Sequence, residues 1–160
     1  MSCPGKTVVI GFGSTALKDD GLPAHLIGRL TTDPRFSQIT FLTSPIGGLE
    51  LIQLISGHSC AVLLDTVKTG KAAPGEVIHF IYPDFHETLH LSSQHDTSFE
   101  QTLELGKRLG IPLPARIHIL AVEIVDNLTL GEGMSQAIAE RFDAILSMVG
   151  DVLQEVAGSR

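Results

Sequence analysis

Thr7-Val8-Val9-Ile10-Gly11-Phe12-Gly13-Ser14-Thr15-Ala16-Leu17-Lys18-Asp19-Asp20-Gly21-Leu22-Pro23 is the stretch whose reading decides the fold. A short apolar run empties into a glycine-rich loop, and a helical pattern follows. That order of strand, loop and helix opens an α/β sheet. Glycine lets a backbone turn sharply and approach a ligand, so the loop is aimed at something. Gly11-x-Gly13-x-x-Ala16 fits the dinucleotide fingerprint at three positions, but two features oppose a nucleotide. The loop runs on to Lys18-Asp19-Asp20 instead of opening a helix on the phosphates, and adjacent carboxylates repel a pyrophosphate. Thr43-Ser44, at the end of the second apolar run, offers no acid for a ribose. Paired carboxylates at a strand mouth suit a cation or a proton transfer. Asp19 is read as the cap of the first helix and Asp20 as the group facing the ligand.

Outward from this stretch, strands and helices alternate. The first strand covers Thr7 to Gly11 and the first helix Leu22 to Thr31, with Pro23 in its first turn. Gln38 to Leu42 is a second strand. Leu49, Ile52 and Ile55 recur at helical spacing before a stop at Gly57. Ala61 to Leu64 is apolar without alternation, which marks a central strand, ending at Asp65. The connection Lys68 to Gly75 is too short for a crossover helix, so the next strand, Glu76 to Ile81, returns antiparallel at an edge. Tyr82 to Thr97 is irregular. A helix from Ser98 to Leu109 opens on the capping box Ser98-x-x-Gln101 and stops at Gly110. Ile117 to Val125 is the fifth strand. The last helix starts at Ser135, with Ile138, Phe142, Ile145, Val149, Val152 and Val156 on one face. The expected class is one α/β domain over residues 1–160.

Composition narrows the function. The chain of 160 residues carries a formal charge of −7, which disfavours nucleic acid and anionic membranes as partners. Cys3 and Cys60 form neither a disulfide framework nor a CxxC pair. The first residues lack an apolar signal core and no run reaches spanning length, so the cytoplasm is the expected location.

In sheets of this kind, ligands bind beyond the carboxyl ends of the parallel strands, where connections diverge. With strand two outside strand one and strand three on its other side, Asp20 and Asp65 meet at that edge. His95, three residues before the capped helix at Ser98, is the candidate third group, held neutral by the helix end. Two Asp and one His with open positions make a divalent site for Zn, Ni, Mn or Fe. The plainer alternative makes Asp65 a turn cap and His95 a surface residue.

These pieces, in order and at these intervals, resemble the hydrogenase maturation proteases, which trim the C-terminal tail of the nickel-containing large subunit. The resemblance rests on the strand into Gly11-Phe12-Gly13, on Asp19-Asp20-Gly21, on Val62-Leu63-Leu64-Asp65 with Pro74-Gly75 behind it, on His95 before its helix, and on Pro112 to Val122. It implies a three-layer α/β/α sandwich whose mixed five-stranded sheet has the order 2-1-3-5-4, with strand 4 antiparallel. It further implies Asp20, Asp65 and His95 as metal-contacting catalytic positions. The resemblance implies, as the metal, nickel carried by the hydrogenase large-subunit precursor or another divalent ion held by the enzyme, with the enzyme expected as a monomer. Ser14 stands where Asn is common, Pro23 where a small glycine is usual, and Thr43-Ser44-Pro45-Ile46-Gly47-Gly48 where an Asp-Gly-Gly-Thr type of loop is expected. A metal-binding assembly factor of the same fold, with no cleavage, is the alternative.

His86-Glu87-Thr88-Leu89-His90 also matches HExxH, with Asp96 as a conceivable third ligand. That chemistry needs a supported helix, and Pro83-Asp84 before it and Ser92-Ser93 after it leave barely one or two turns. His25, His58, His79 and His118 read as isolated surface or strand residues. Glu123 reads as a solvated strand end within reach of the cleft.

Overall fold

The computed structural model describes residues 4–45, 47–91 and 98–157. Its strands are β1 (Thr7–Phe12), β2 (Thr40–Ser44), β3 (Cys60–Val67), β4 (Val77–Ile81) and β5 (Arg116–Glu123). They form one sheet of order β2-β1-β3-β5-β4, parallel throughout except for β4 against β5. The short return after β3 therefore does place an antiparallel strand at an edge, because no helix intervenes to bring the chain back to the start of the sheet.

The helices are α1 (Leu22–Leu30), α2 (Glu50–Ile55), α3 (Phe99–Arg108) and α4 (Gln136–Ala157). Side chains alternate across a strand, and here both faces are covered. Val9, Val62, Leu64 and Leu120 pack in one cluster with α1 and α4, and Val8, Ile10, Leu63 and Ile119 in another with α2 and α3. This is the expected three-layer α/β/α arrangement. Ser98 and Gln101 close the capping box of α3 in both directions. No helix among the described residues is long and apolar enough to cross a membrane. Cys60 is buried in the core, as its apolar neighbours suggest.

Several boundaries differ for physical reasons. β2 begins later than expected, because a 3-10 turn at Pro34–Phe36 continues into a bond from Ile39 N to Phe36 O. β3 does not end at Asp65. β5 supplies ladder partners for Asp65, Thr66 and Val67, which extends β3 by two residues and seats Asp65 inside the strand.

His79 and His118 are not isolated. His79 Nε2 lies 2.9 Å from His118 Nδ1 between β4 and β5. Burial, then the charges of His79 and Arg116, push the His118 imidazole from the ordinary 6.5 to about 4. Burial lowers His79 as well. Among the described residues, His118 Nε2 is buried with no hydrogen-bond partner, so a second ring proton has nowhere to go. A histidine with a depressed folded pKa takes up its proton more readily when unfolded. Stability is then complete above pH 6.5 and falls as pH drops from 6.5 toward about 4. Urea melts across that window should show the loss, and His118→Leu should flatten it.

Candidate active site

The site forms where β1 and β3 end side by side. After Phe12 the chain turns at Gly13, whose φ of +119° lies in the region glycine favours. The turn is held outside by Gly13 N donating to Ser44 O at the end of β2. It is held inside by Ser14 N donating to Asp20 Oδ2 at 2.7 Å. The loop thus folds back on itself, and the 3-10 turn Lys18–Gly21 delivers Asp19 and Asp20 directly before α1.

The two carboxylates have different partners. Asp19 is fully buried and accepts from Val125 N, Asp126 N, Ser135 N and Ser135 Oγ at 2.7 to 3.1 Å. The expectation that it caps α1 fails: the cap residue of α1 is Gly21, with no side-chain bond. Asp19 instead ties the β5–α4 connection to the glycine loop. Asp19→Ala strands three backbone donors at once and should cost about 3–5 kcal/mol, measured by urea unfolding.

Asp20 turns the other way, toward His90. Its Oδ1 stands 3.4 Å from His90 Nε2. The opposite edge of the same ring reaches Asp65, with Nδ1 to Oδ1 at 2.7 Å. Asp65 also accepts from Thr66 N at 2.8 Å, Thr88 Oγ1 at 2.5 Å and His90 N at 2.7 Å, and is fully buried. With Thr66 N, Thr88 Oγ1 and His90 N already donating to it, this carboxylate serves as the acceptor toward the ring as well, which puts a proton of His90 on Nδ1. The ring stacks on Phe12 at 6.4 Å between centroids. Burial opposes charge on the imidazole. The Asp65 hydrogen bond, then the charges of Asp65 and Asp20, outweigh that, so its pKa stands above the ordinary 6.5.

Gly47 closes the far wall: a methyl carbon added there would sit 2.3 Å from the His90 carbonyl oxygen. The loop after β2 therefore bears directly on the segment that carries His90.

Asp20 and Asp65 are thus brought to one edge, as expected, although Asp65 is a buried acceptor. His95 and Asp96 lie outside the described residues. The third group in place is His90, the second histidine of the HExxH match. That motif fails as a zinc helix, since residues 85–88 have no regular structure and His86 packs edge-on against Phe80, 5.4 Å away. Glu123 is neither solvated nor in the cleft. It is buried and accepts from Thr69 N and Thr69 Oγ1, fastening the loop after β3.

A resident divalent ion does not fit the described residues alone. Every oxygen of Asp65 already serves protein donors, and no three His, Cys, Asp or Glu side chains come together as a metal site among the described residues. The donors left open are Asp20 Oδ1 and His90 Nε2. What the set does offer is an oriented proton carrier beside a fixed carboxylate.

No family model matches the sequence, and no curated protein matches it. Solved structures do. The hydrogenase maturating endopeptidase HybD from E. coli superposes with a TM-score of 0.73 at 18% identity, over 94% of this chain and 93% of that one. The [NiFe] hydrogenase maturation protease HybD from Thermococcus kodakarensis gives 0.65 at 18%, over 93% and 99%. The HycI maturation protease of the same organism gives 0.60 at 17%, over 94% of each chain. The chain therefore has the fold of the hydrogenase maturation proteases, including the sheet order 2-1-3-5-4 with strand 4 antiparallel.

Proposed function

We propose that this chain is an endopeptidase that removes the C-terminal extension of a nickel-containing hydrogenase large-subunit precursor after metal insertion. The observation that carries the reading is the line Asp65–His90–Asp20 at the carboxyl edge of a sheet shared with proteases of that kind. The nickel belongs to the substrate, and Asp20 Oδ1 is the open donor positioned to recognise it.

In the proposed chemistry, Asp65 holds the imidazole in one tautomer. His90 Nε2 takes a proton from a water whose oxygen adds to the scissile carbonyl carbon. It then returns that proton to the amide nitrogen as the carbon–nitrogen bond breaks. Asp20 stabilises the imidazolium formed between these steps.

The test mixes purified protein with nickel-loaded and with nickel-free precursor and follows the tail by mass spectrometry. Trimming of the loaded form alone supports the reading. Binding without trimming favours an assembly factor, and neither binding nor trimming overturns both. His90→Gln should lower kcat about 10²- to 10⁴-fold, the usual range for an acid–base group. A parallel His95→Ala measurement shows whether the other histidine takes part. An unchanged kcat in His90→Gln removes it from the chemistry.

A further inference from the structure

The connection from β5 to α4 carries an apolar display that packing does not explain. Leu128 is 77% exposed and Leu130 80%, with Val125 beside them at 41%. Scattered surface leucines need no account, but these stand on a loop built to hold them outward. Asp126 Oδ1 accepts from Leu128 N and Thr129 N at 3.0 Å. The amides of Val125 and Asp126 are fixed on buried Asp19. At its far end, Gly131 N donates to Ala16 O and Gly131 O accepts from Lys18 N, so the end of the loop is fastened to the glycine loop on either side of Leu17. The same residues that hold the leucines outward hold the turn that positions Asp20.

We propose that Leu128 and Leu130 dock an apolar stretch of the polypeptide substrate beside the bond that is cut. This rests on the endopeptidase reading and names the recognition surface of the same site. A second copy of the chain is a poorer occupant, since two leucines fall well short of the ~800 Å² per partner in a stable interface. A short extended segment already held at Asp20 and His90 needs only a small apolar contact to fix its register. The bonds from Gly131 to Ala16 and Lys18 join the leucine loop to the stretch that carries Asp20, which makes the polypeptide bound there the occupant.

The experiment compares the full chain with a Leu128→Ser, Leu130→Ser double variant, using nickel-loaded precursor. Cleavage gives kcat and KM, and binding is measured separately in a His90→Gln background, where turnover is too slow to interfere. Leu109→Ser, an exposed leucine after α3 at the opposite edge of the sheet, serves as control. The expected result is a KM and a Kd raised at least tenfold in the double variant, with kcat and thermal midpoint retained and the control unchanged. Equal KM and Kd in parent and double variant overturn the docking inference and leave the peptidase reading standing. Binding that depends on the leucines without any cleavage overturns the peptidase reading and leaves a docking surface. Absence of binding in both proteins overturns both.

Discussion

Asp65→Asn is expected to lower kcat for precursor cleavage about a thousandfold or more and to loosen the segment that carries His90. The replacement is nearly isosteric, so the effect comes from hydrogen-bond polarity. Asp65 takes four donors on two oxygens. An asparagine keeps one oxygen and turns two N–H donors toward groups that are themselves donors. Whichever way the amide flips, buried donors face donors, at a cost of about 2–4 kcal/mol. The catalytic loss is larger because the imidazole is left in the wrong tautomer and orientation. A merely structural role is separated by the titration of His90, followed by NMR of its ring proton. In the parent, the Asp65 hydrogen bond and the charges of Asp65 and Asp20 hold that pKa above 6.5 against burial. A raised folded pKa contributes stability that is complete below 6.5 and is lost as pH rises through the folded value. In the variant the hydrogen bond and the Asp65 charge are gone, burial dominates, and the titration moves below that of the parent. A His90 titration that does not move removes Asp65 from the control of the imidazole.

The parts of this arrangement legible in the sequence are those fixed by local rules. A non-alternating apolar run marks a strand covered on both faces, a short connection marks an antiparallel return, and Ser98-x-x-Gln101 marks a helix start; all three are present. Asp20 and Asp65 were legible as neighbours because parallel strands put their following loops at one edge. The roles of Asp19 and His90 were not, since both depend on partners far along the chain. Asp19 binds amides 106 to 116 residues away. His90 reaches the site because β4 runs backwards. Ile81 ends beside His118, near the start of β5, so the chain must climb the sheet again. It arrives where Leu89 N bonds Thr66 O, late in β3, which delivers the next residue to Asp65. Ten residues of extended chain span about 33 Å, ample for that climb. The antiparallel strand was itself a clue that whatever lay about ten residues beyond it would return to the cleft.

Gly13→Ala should be among the most damaging single-methyl changes in the protein, and its cause can be isolated. The added carbon would lie 2.0 Å from the Asp20 carbonyl oxygen, a contact between two stretches of backbone that no rotamer relieves. The φ of +119° adds strain for any residue with a Cβ. Together these terms predict a loss of about 2–6 kcal/mol in urea unfolding. Gly48 provides the comparison: its φ of +89° is equally unsuited to alanine, yet a methyl there meets nothing within 4 Å. Gly48→Ala should therefore show the backbone term alone, about 1–3 kcal/mol, and retain cleavage. In Gly13→Ala the surplus has to be relieved by moving the Asp20 backbone, which also withdraws Oδ1 from His90. A displacement of about 1 Å at a positioned group is worth roughly a hundredfold in rate. Cleavage by refolded Gly13→Ala should fall by that order even under conditions where it is fully folded. If its activity per folded molecule matches that of Gly48→Ala, the glycine loop supports the fold without setting the position of Asp20.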